Sequence, residues 1–238
     1  MCTVTYLPLQ KNGFILTSNR DESVTRKTAL PPTKYSINGT TVFFPKDLEA
    51  QGTWIATSPT KYTLCLLNGA FEKHTHQPPY AKSRGLVLLD IFQYASCQEY
   101  ASQYNFVGIE PFTLIIICNN TDAVKLYELR WDGNHAHLKK LPIEKPAIWS
   151  SVTLYKKEVI EQREQWFHEW LKNNTIYTVQ EILFFHHFAG NGAAQHNLIM
   201  DIKEKKTVSV TSIAHENLSR TIIYEDLVNK VRKRCRFY

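Results

Sequence analysis

An Asn-Gly pair at Asn12-Gly13 sits between two runs of β-branched and aromatic residues, Cys2–Leu7 and Phe14–Ser18, so the chain is expected to begin as a tight antiparallel hairpin. A two-residue loop on that pair places Val4 opposite Asp21 and Cys2 opposite Ser23. Side chains alternate along a strand. In this register Cys2, Asn19 and Asp21 share one face, while Arg20 and Glu22 take the other. Asp21 becomes a diagonal neighbour of Cys2, about 7–8 Å away between backbones and within side-chain reach. Pro8 cannot donate to the ladder, and a bulge beside it would flip every later assignment.

Cys2 directly follows Met1, and a small second residue permits removal of the initiator. The product would carry a thiol and a free α-amine on one residue. An unperturbed α-amine titrates near ~7.7–8.0 and a thiol near ~8.5, so the pair is a nucleophile with its own base. A modest environmental shift is enough to activate such a thiol at neutral pH.

With 238 residues, 43% hydrophobic and 21% charged, the chain has the composition of a globular protein able to bury a substantial core, read as a single domain over 1–238. The run Leu114–Ile117 is a buried strand and far too short to span a bilayer. No charged segment followed by an apolar core opens the chain, so no secretory signal is expected. Five widely spaced cysteines without a Cys-x-x-Cys argue against a disulfide framework and suit a reducing, cytoplasmic setting.

Beyond the hairpin, strands are expected at Thr40–Phe44, Thr53–Thr57, Tyr62–Asn68, Phe112–Cys118, Ala123–Leu129, His135–Leu141, Val208–Ile213 and Thr221–Tyr224. A helix is expected over Ser83–Tyr104, and a second over Lys156–Leu171, whose apolar stripe includes Arg163. Thr178 and Glu181 form a capping box for a third, running through Phe188. Pro31-Pro32 and Pro78-Pro79 read as loops. A basic terminal helix over about 225–238 completes the set. Strands flanking a helical middle suit a sheet-on-sheet core with outer helices.

Several motifs together resemble one family. Met1-Cys2 with Asn19-Arg20-Asp21-Glu22 is similar to the opening of the NRDE family, which includes the transport and Golgi organization protein 2 group. Gln51-Gly52-Thr53-Trp54, Leu67-Asn68-Gly69 and Ser83-Arg84-Gly85 resemble further family segments. The resemblance implies an α+β fold of the N-terminal nucleophile hydrolases, a four-layer αββα sandwich of two mainly antiparallel sheets with outer helices. It extends at a distance to the choloylglycine hydrolases and penicillin V acylases. By that likeness Cys2 is the nucleophile, Asp21 orients it, and Asn68 contributes to the oxyanion hole. Two positions depart from these patterns: Ser18 stands where the acylases place an arginine, and Ser151 where many NRDE proteins carry the asparagine of a Leu-Ser-Asn run. Ser151 has one donor and a shorter reach, and losing an oxyanion donor can cost roughly 10²–10³ in rate.

Asn19, Arg20, Ser151 and His74 are the candidate substrate contacts, Arg20 as a partner for a substrate carboxylate and His74 from the loop after Asn68. His186-His187 invites a metal reading. Adjacent helical histidines point apart, however, and no ligand stands at suitable spacing, so a core role is favoured and no metal or cofactor is expected. The net charge of +6 is concentrated at Lys230, Arg232, Lys233, Arg234 and Arg236. No nucleic-acid motif accompanies them, and a solvated terminal helix is the expectation. The functional expectation is an N-terminal-cysteine amidohydrolase or acylase acting on a small amide or acyl substrate. The alternative is a non-catalytic carrier of a hydrophobic ligand such as haem or an acyl lipid, which the resemblance also permits. Neither requires nucleic acid or stable membrane insertion.

Overall fold

The computed structural model describes residues 3–119, 124–216 and 219–237. In chain order the first elements are β1 (Thr3–Pro8), β2 (Phe14–Ser23), β3 (Leu30–Ile37), β4 (Thr40–Lys46), β5 (Ile55–Thr57) and β6 (Tyr62–Asn68). Next come α1 (Arg84–Asp90), α2 (Cys97–Gln103), β7 (Phe112–Cys118), β8 (Lys125–Trp131), β9 (Ala136–Leu141) and β10 (Ala147–Ser150). The last are α3 (Lys157–Asn173), α4 (Val179–Phe188), β11 (Lys205–Glu216), β12 (Ser219–Asp226) and β13 (Val231–Phe237). The strands form two antiparallel sheets, and the chain divides into two compact units.

The first unit comprises Met1–Thr28, Glu144–Ser151 and Tyr155–Tyr238, with sheet order β10-β1-β2-β11-β12-β13. Its opening hairpin forms as expected, but in a different register. Lys11 and Asn12 take the two positive-φ positions, and Gly13 N donates to Gln10 O at 3.1 Å, so the turn sits one residue earlier than Asn12-Gly13. Leu9 N also donates to Gly13 O, leaving Pro8 opposite Phe14 and Thr3 opposite Asn19. Val4 therefore faces Ser18 across the ladder, not Asp21. The expected pairing of Cys2 with Ser23 lies outside the described residues. The odd shift exchanges faces. Thr3, Thr5, Asn19 and Asp21 share one side, and Val4, Ser18 and Arg20 the other. Gly13 is required here because a Cβ would lie 2.7 Å from the His215 carbonyl oxygen.

On the Asn19 side, Leu7, Ile15, Val210, Ala214 and Ile223 pack with Phe167 of α3 and Ile182, Leu183 and Phe185 of α4. The capping box opens α4 as expected, Thr178 accepting from Glu181 N and Glu181 accepting from Thr178 N. The expected terminal helix is instead strand β13, paired with β12 from Asp226↔Val231 to Arg220↔Phe237. The reversal is made by the Asp226 carboxylate, which accepts from Val228 N and Asn229 N at 2.9 Å each, and by Lys230 at positive φ. Strand β10 was not expected; it pairs with β1 through Thr3↔Ser150 and Val4↔Trp149.

The second unit, Ala29–Ile143 with Val152–Leu154, carries the sheet β3-β4-β5-β6-β7-β8-β9, each strand beside its chain neighbour. Strands β6 and β7 have the expected bounds. Pro31-Pro32 lies in β3, not a loop; an edge strand with a register shift between Leu30 and Thr33 tolerates residues that cannot donate. The helix expected over Ser83–Tyr104 is broken by a 3-10 turn at Ile91–Gln93 and by Ser96. Ser96 is extended and accepts from Glu99 N at 3.0 Å, acting as the N-cap of α2. No helix among the described residues is long and apolar enough to cross a membrane.

Candidate functional site

The Asn19–Glu22 run lies on β2, and its two odd-numbered members enter a buried polar network in the first unit. Asp21 is buried, and both of its carboxylate oxygens accept from hydroxyls: Oδ2 from Tyr155 and Oδ1 from Thr207 at 2.5 Å. Thr207 is itself held by Met200 N at 2.8 Å. Tyr155 is positioned from behind by Arg163 of α3, whose Cζ lies 3.8 Å from the ring centroid. Arg163 is fully buried. It donates to Thr3 Oγ1 at 2.7 Å, to His196 O at 3.0 Å and to Asn197 O at 2.6 Å. Thr3, the residue after Cys2, is thus tied to the same cluster as Asp21.

Asn19 is buried beside it. Its amide donates to Leu198 O at 2.7 Å, and its Oδ1 lies 2.6 Å from His186 Nδ1. His186 is fully enclosed in α4; burial first, then His187 and Arg163, push its pKa down to about 3. The ring is therefore neutral. Nδ1–H donates to Asn19, and Nε2 accepts from the Thr5 hydroxyl at 2.8 Å. His187 turns the other way and meets Glu225 at 2.6 Å. Arg20, on the opposite face, is buried and pairs with Glu22 at 3.4 Å. Ser151 is buried at the end of β10, where its carbonyl accepts from Tyr155 N at 3.2 Å. Cys2 lies outside the described residues.

In the second unit, Asn68 ends β6 opposite Phe112 and is followed by Gly69 at φ +83°. A side chain at Gly69 would collide with the methyls of Val152 and Thr153 at 2.6 and 2.7 Å. His74 and His76 both approach Glu110 Oε1, at 3.1 and 3.0 Å, while Arg84 holds Oε2 at 3.0 Å. Burial would raise the Glu110 carboxyl, but Arg84 and the two histidines hold it below its usual value. Gly52 and Gly85, from two of the motif segments, meet backbone to backbone, with Thr53 N donating to Gly85 O. Tyr155, Thr207 and the partner role of His186 were not anticipated. The one usable signal was Arg163, an arginine on the apolar stripe of its helix.

The two antiparallel sheets with their helices define an α+β chain of the N-terminal nucleophile hydrolase fold. Two variant structures of a conjugated bile acid hydrolase from Clostridium perfringens match with a TM-score of 0.60 and 11% identity, covering 98% and 99% of this chain and 92% of each of those chains. An N-acylethanolamine-hydrolyzing acid amidase ortholog from Caenorhabditis elegans matches with a TM-score of 0.52 at 13% identity, covering 89% of this chain and 92% of that one. The chain belongs to the Transport and Golgi organisation 2 family, whose model matches residues 1–229. Among curated proteins no sequence match is found.

Proposed function

We propose that the protein is an N-terminal-cysteine amidohydrolase or acylase acting on a small amide or acyl substrate. After loss of Met1, the Cys2 thiolate attacks the carbonyl carbon, and the Cys2 α-amine takes the thiol proton and returns it to the leaving amine. Water then cleaves the thioester. The observation that supports this most is the buried Asp21 carboxylate on β2, which accepts from the hydroxyls of Tyr155 and Thr207. A carboxylate held by two hydroxyls keeps a defined orientation, which suits positioning of an N-terminal head group. The fold likeness to a conjugated bile acid hydrolase and to an N-acylethanolamine-hydrolyzing acid amidase ortholog favours the same reading. Asn68 enters as a donor to the carbonyl oxygen by the family resemblance, with Ser151 and His74 as proposed substrate contacts; Asn19, committed to His186 and Leu198, and Arg20, on the other face of β2, are left out of that role.

The test is N-terminal peptide mapping by mass spectrometry with a thiol alkylator at neutral pH, followed by an amide-substrate screen of wild type and Cys2→Ala. Loss of Met1, fast alkylation at Cys2 and turnover absent from Cys2→Ala support the reading. Retained Met1, or equal turnover in the variant, ends it.

One feature favours a second reading, a carrier of a hydrophobic ligand. Trp166, Trp170, Phe184 and Phe188 line an open groove of about 250 Å³ in the first unit, and Phe184 and Phe188 are 64% and 69% exposed. Quenching of tryptophan fluorescence by haem or a long-chain acyl ligand, lost in Phe184→Ser/Phe188→Ser, would favour the carrier; unchanged fluorescence would remove it.

A further inference from the structure

Two cysteines in the second unit are placed together by elements far apart in sequence. Cys97 is the first residue of α2 and Cys118 the last of β7, with exposures of 1% and 9%. Their sulfurs are 4.0 Å apart. A disulfide requires ~2.05 Å, so about 2 Å has to close. Both cysteines are buried, and the Cys97 thiol donates at 3.2 Å to the side chain of Gln98, an exposed residue. Gln98 is in turn fixed by the Tyr127 hydroxyl at 2.8 Å.

From this juxtaposition we infer that Cys97 and Cys118 are a redox-active dithiol that reacts with small hydroperoxides. One of the two thiolates attacks a peroxide oxygen, the O–O bond breaks, and that cysteine becomes a sulfenic acid as hydroxide (or alkoxide) leaves and takes up a proton. The second thiol then attacks the sulfenic sulfur, the S–S bond forms and the sulfenic oxygen departs as water. The sum is two thiols and one hydroperoxide giving one disulfide, one water and a second water (or an alcohol), with the peroxide reduced and the thiols oxidised. The product ties α2 to the end of β7, and a dithiol reductant reverses it.

The experiment treats the full chain with stoichiometric hydrogen peroxide, blocks remaining thiols, and maps peptides without reduction. A Cys97–Cys118 linked peptide is expected, while the enclosed Cys65 stays reduced. In Cys118→Ser and in Cys97→Ser the linked peptide should be absent, and dimedone should trap a sulfenic acid on the cysteine that remains in at least one of the two. Should Cys2 or Cys235 oxidise while Cys97 and Cys118 stay reduced, the inference is overturned. The wild-type map stands even if a variant fails to fold, and none of these outcomes depends on whether Cys2 is catalytic.

Discussion

The guanidinium of Arg163 stacks on the ring of Tyr155 at 3.8 Å, and the Tyr155 hydroxyl donates to Asp21. A fully buried cation on a helix thereby sets the position of a carboxylate on a strand, with a neutral aromatic ring between them. Arg163 simultaneously holds Thr3 and two carbonyls of the segment after α4, so one side chain joins the N-terminal strand, α3 and that segment.

Replacing Arg163 with methionine keeps the stem but removes three charge-assisted bonds, one to the buried Thr3 hydroxyl and two to half-buried carbonyls. A loss of about 3 kcal/mol or more is expected. Urea unfolding checks it, with the midpoint lowered and the slope unchanged.

Tyr155→Phe preserves the ring under Arg163 and deletes only the donor to Asp21. The cost expected for leaving that oxygen short of a partner is about 1–3 kcal/mol. Under the proposed mechanism the same variant slows alkylation of Cys2 while leaving that of Cys235 unchanged, which parallel peptide mapping reads directly.

Acid sensitivity follows from two enclosed histidines. His186 and His215 each have a pKa pushed down to about 3, in both cases chiefly by burial, with Arg220 adding to the effect at His215. Once unfolded, each takes up a proton near its ordinary value of 6.5. The unfolded state therefore binds more protons between those limits, and stability falls as pH drops from 6.5 toward 3. Each histidine contributes a slope of up to about 1.4 kcal/mol per pH unit. Urea midpoints measured across this window should show the decline, and His186→Gln should make it shallower.

Gly52→Ala tests the contact between two motif segments. The added Cβ would lie 2.4 Å from the Gly85 carbonyl carbon and 2.6 Å from Leu86 N, so backbone must move. Overpacking of this kind costs about 1–3 kcal/mol. For a chain of this size, that is a fall in Tm of roughly 2–4 °C per kcal/mol by thermal denaturation.

Elements whose residues carry their own local signal were readable from sequence. Strands β6 and β7 are mostly apolar runs that include only Thr63, Asn68 and Thr113 as polar residues, α3 has a continuous stripe, and α4 declares its start through Thr178 and Glu181. The hairpin was legible as a hairpin, but its register was not. The choice between turning on Lys11-Asn12 and on Asn12-Gly13 is decided partly by β11, whose His215 carbonyl presses on Gly13. Ser96 and Glu99 carry the same start signal as Thr178 and Glu181, but the apolar positions on either side read through it as one helix. The basic tail reads as a solvated helix by charge, yet β12 has an edge to fill and Asp226 supplies the reversal. Of the site, Asn19 and Asp21 were visible as a motif beside the N-terminus. Their partners were not, because Tyr155, Arg163, His186 and Thr207 lie more than a hundred residues away and each is ordinary in its own segment.

What the sequence by itself determined was the type of most strongly patterned elements, the family, and the Asn19–Glu22 run as a motif. These depend on periodicity, turn chemistry and side-chain identity, which act over a few residues. The tertiary structure alone decided which face of β2 Asn19, Arg20 and Asp21 occupy and what holds them there. A strand's face changes with a shift of one residue, and that shift is set by neighbouring strands and helices that sequence proximity does not reveal.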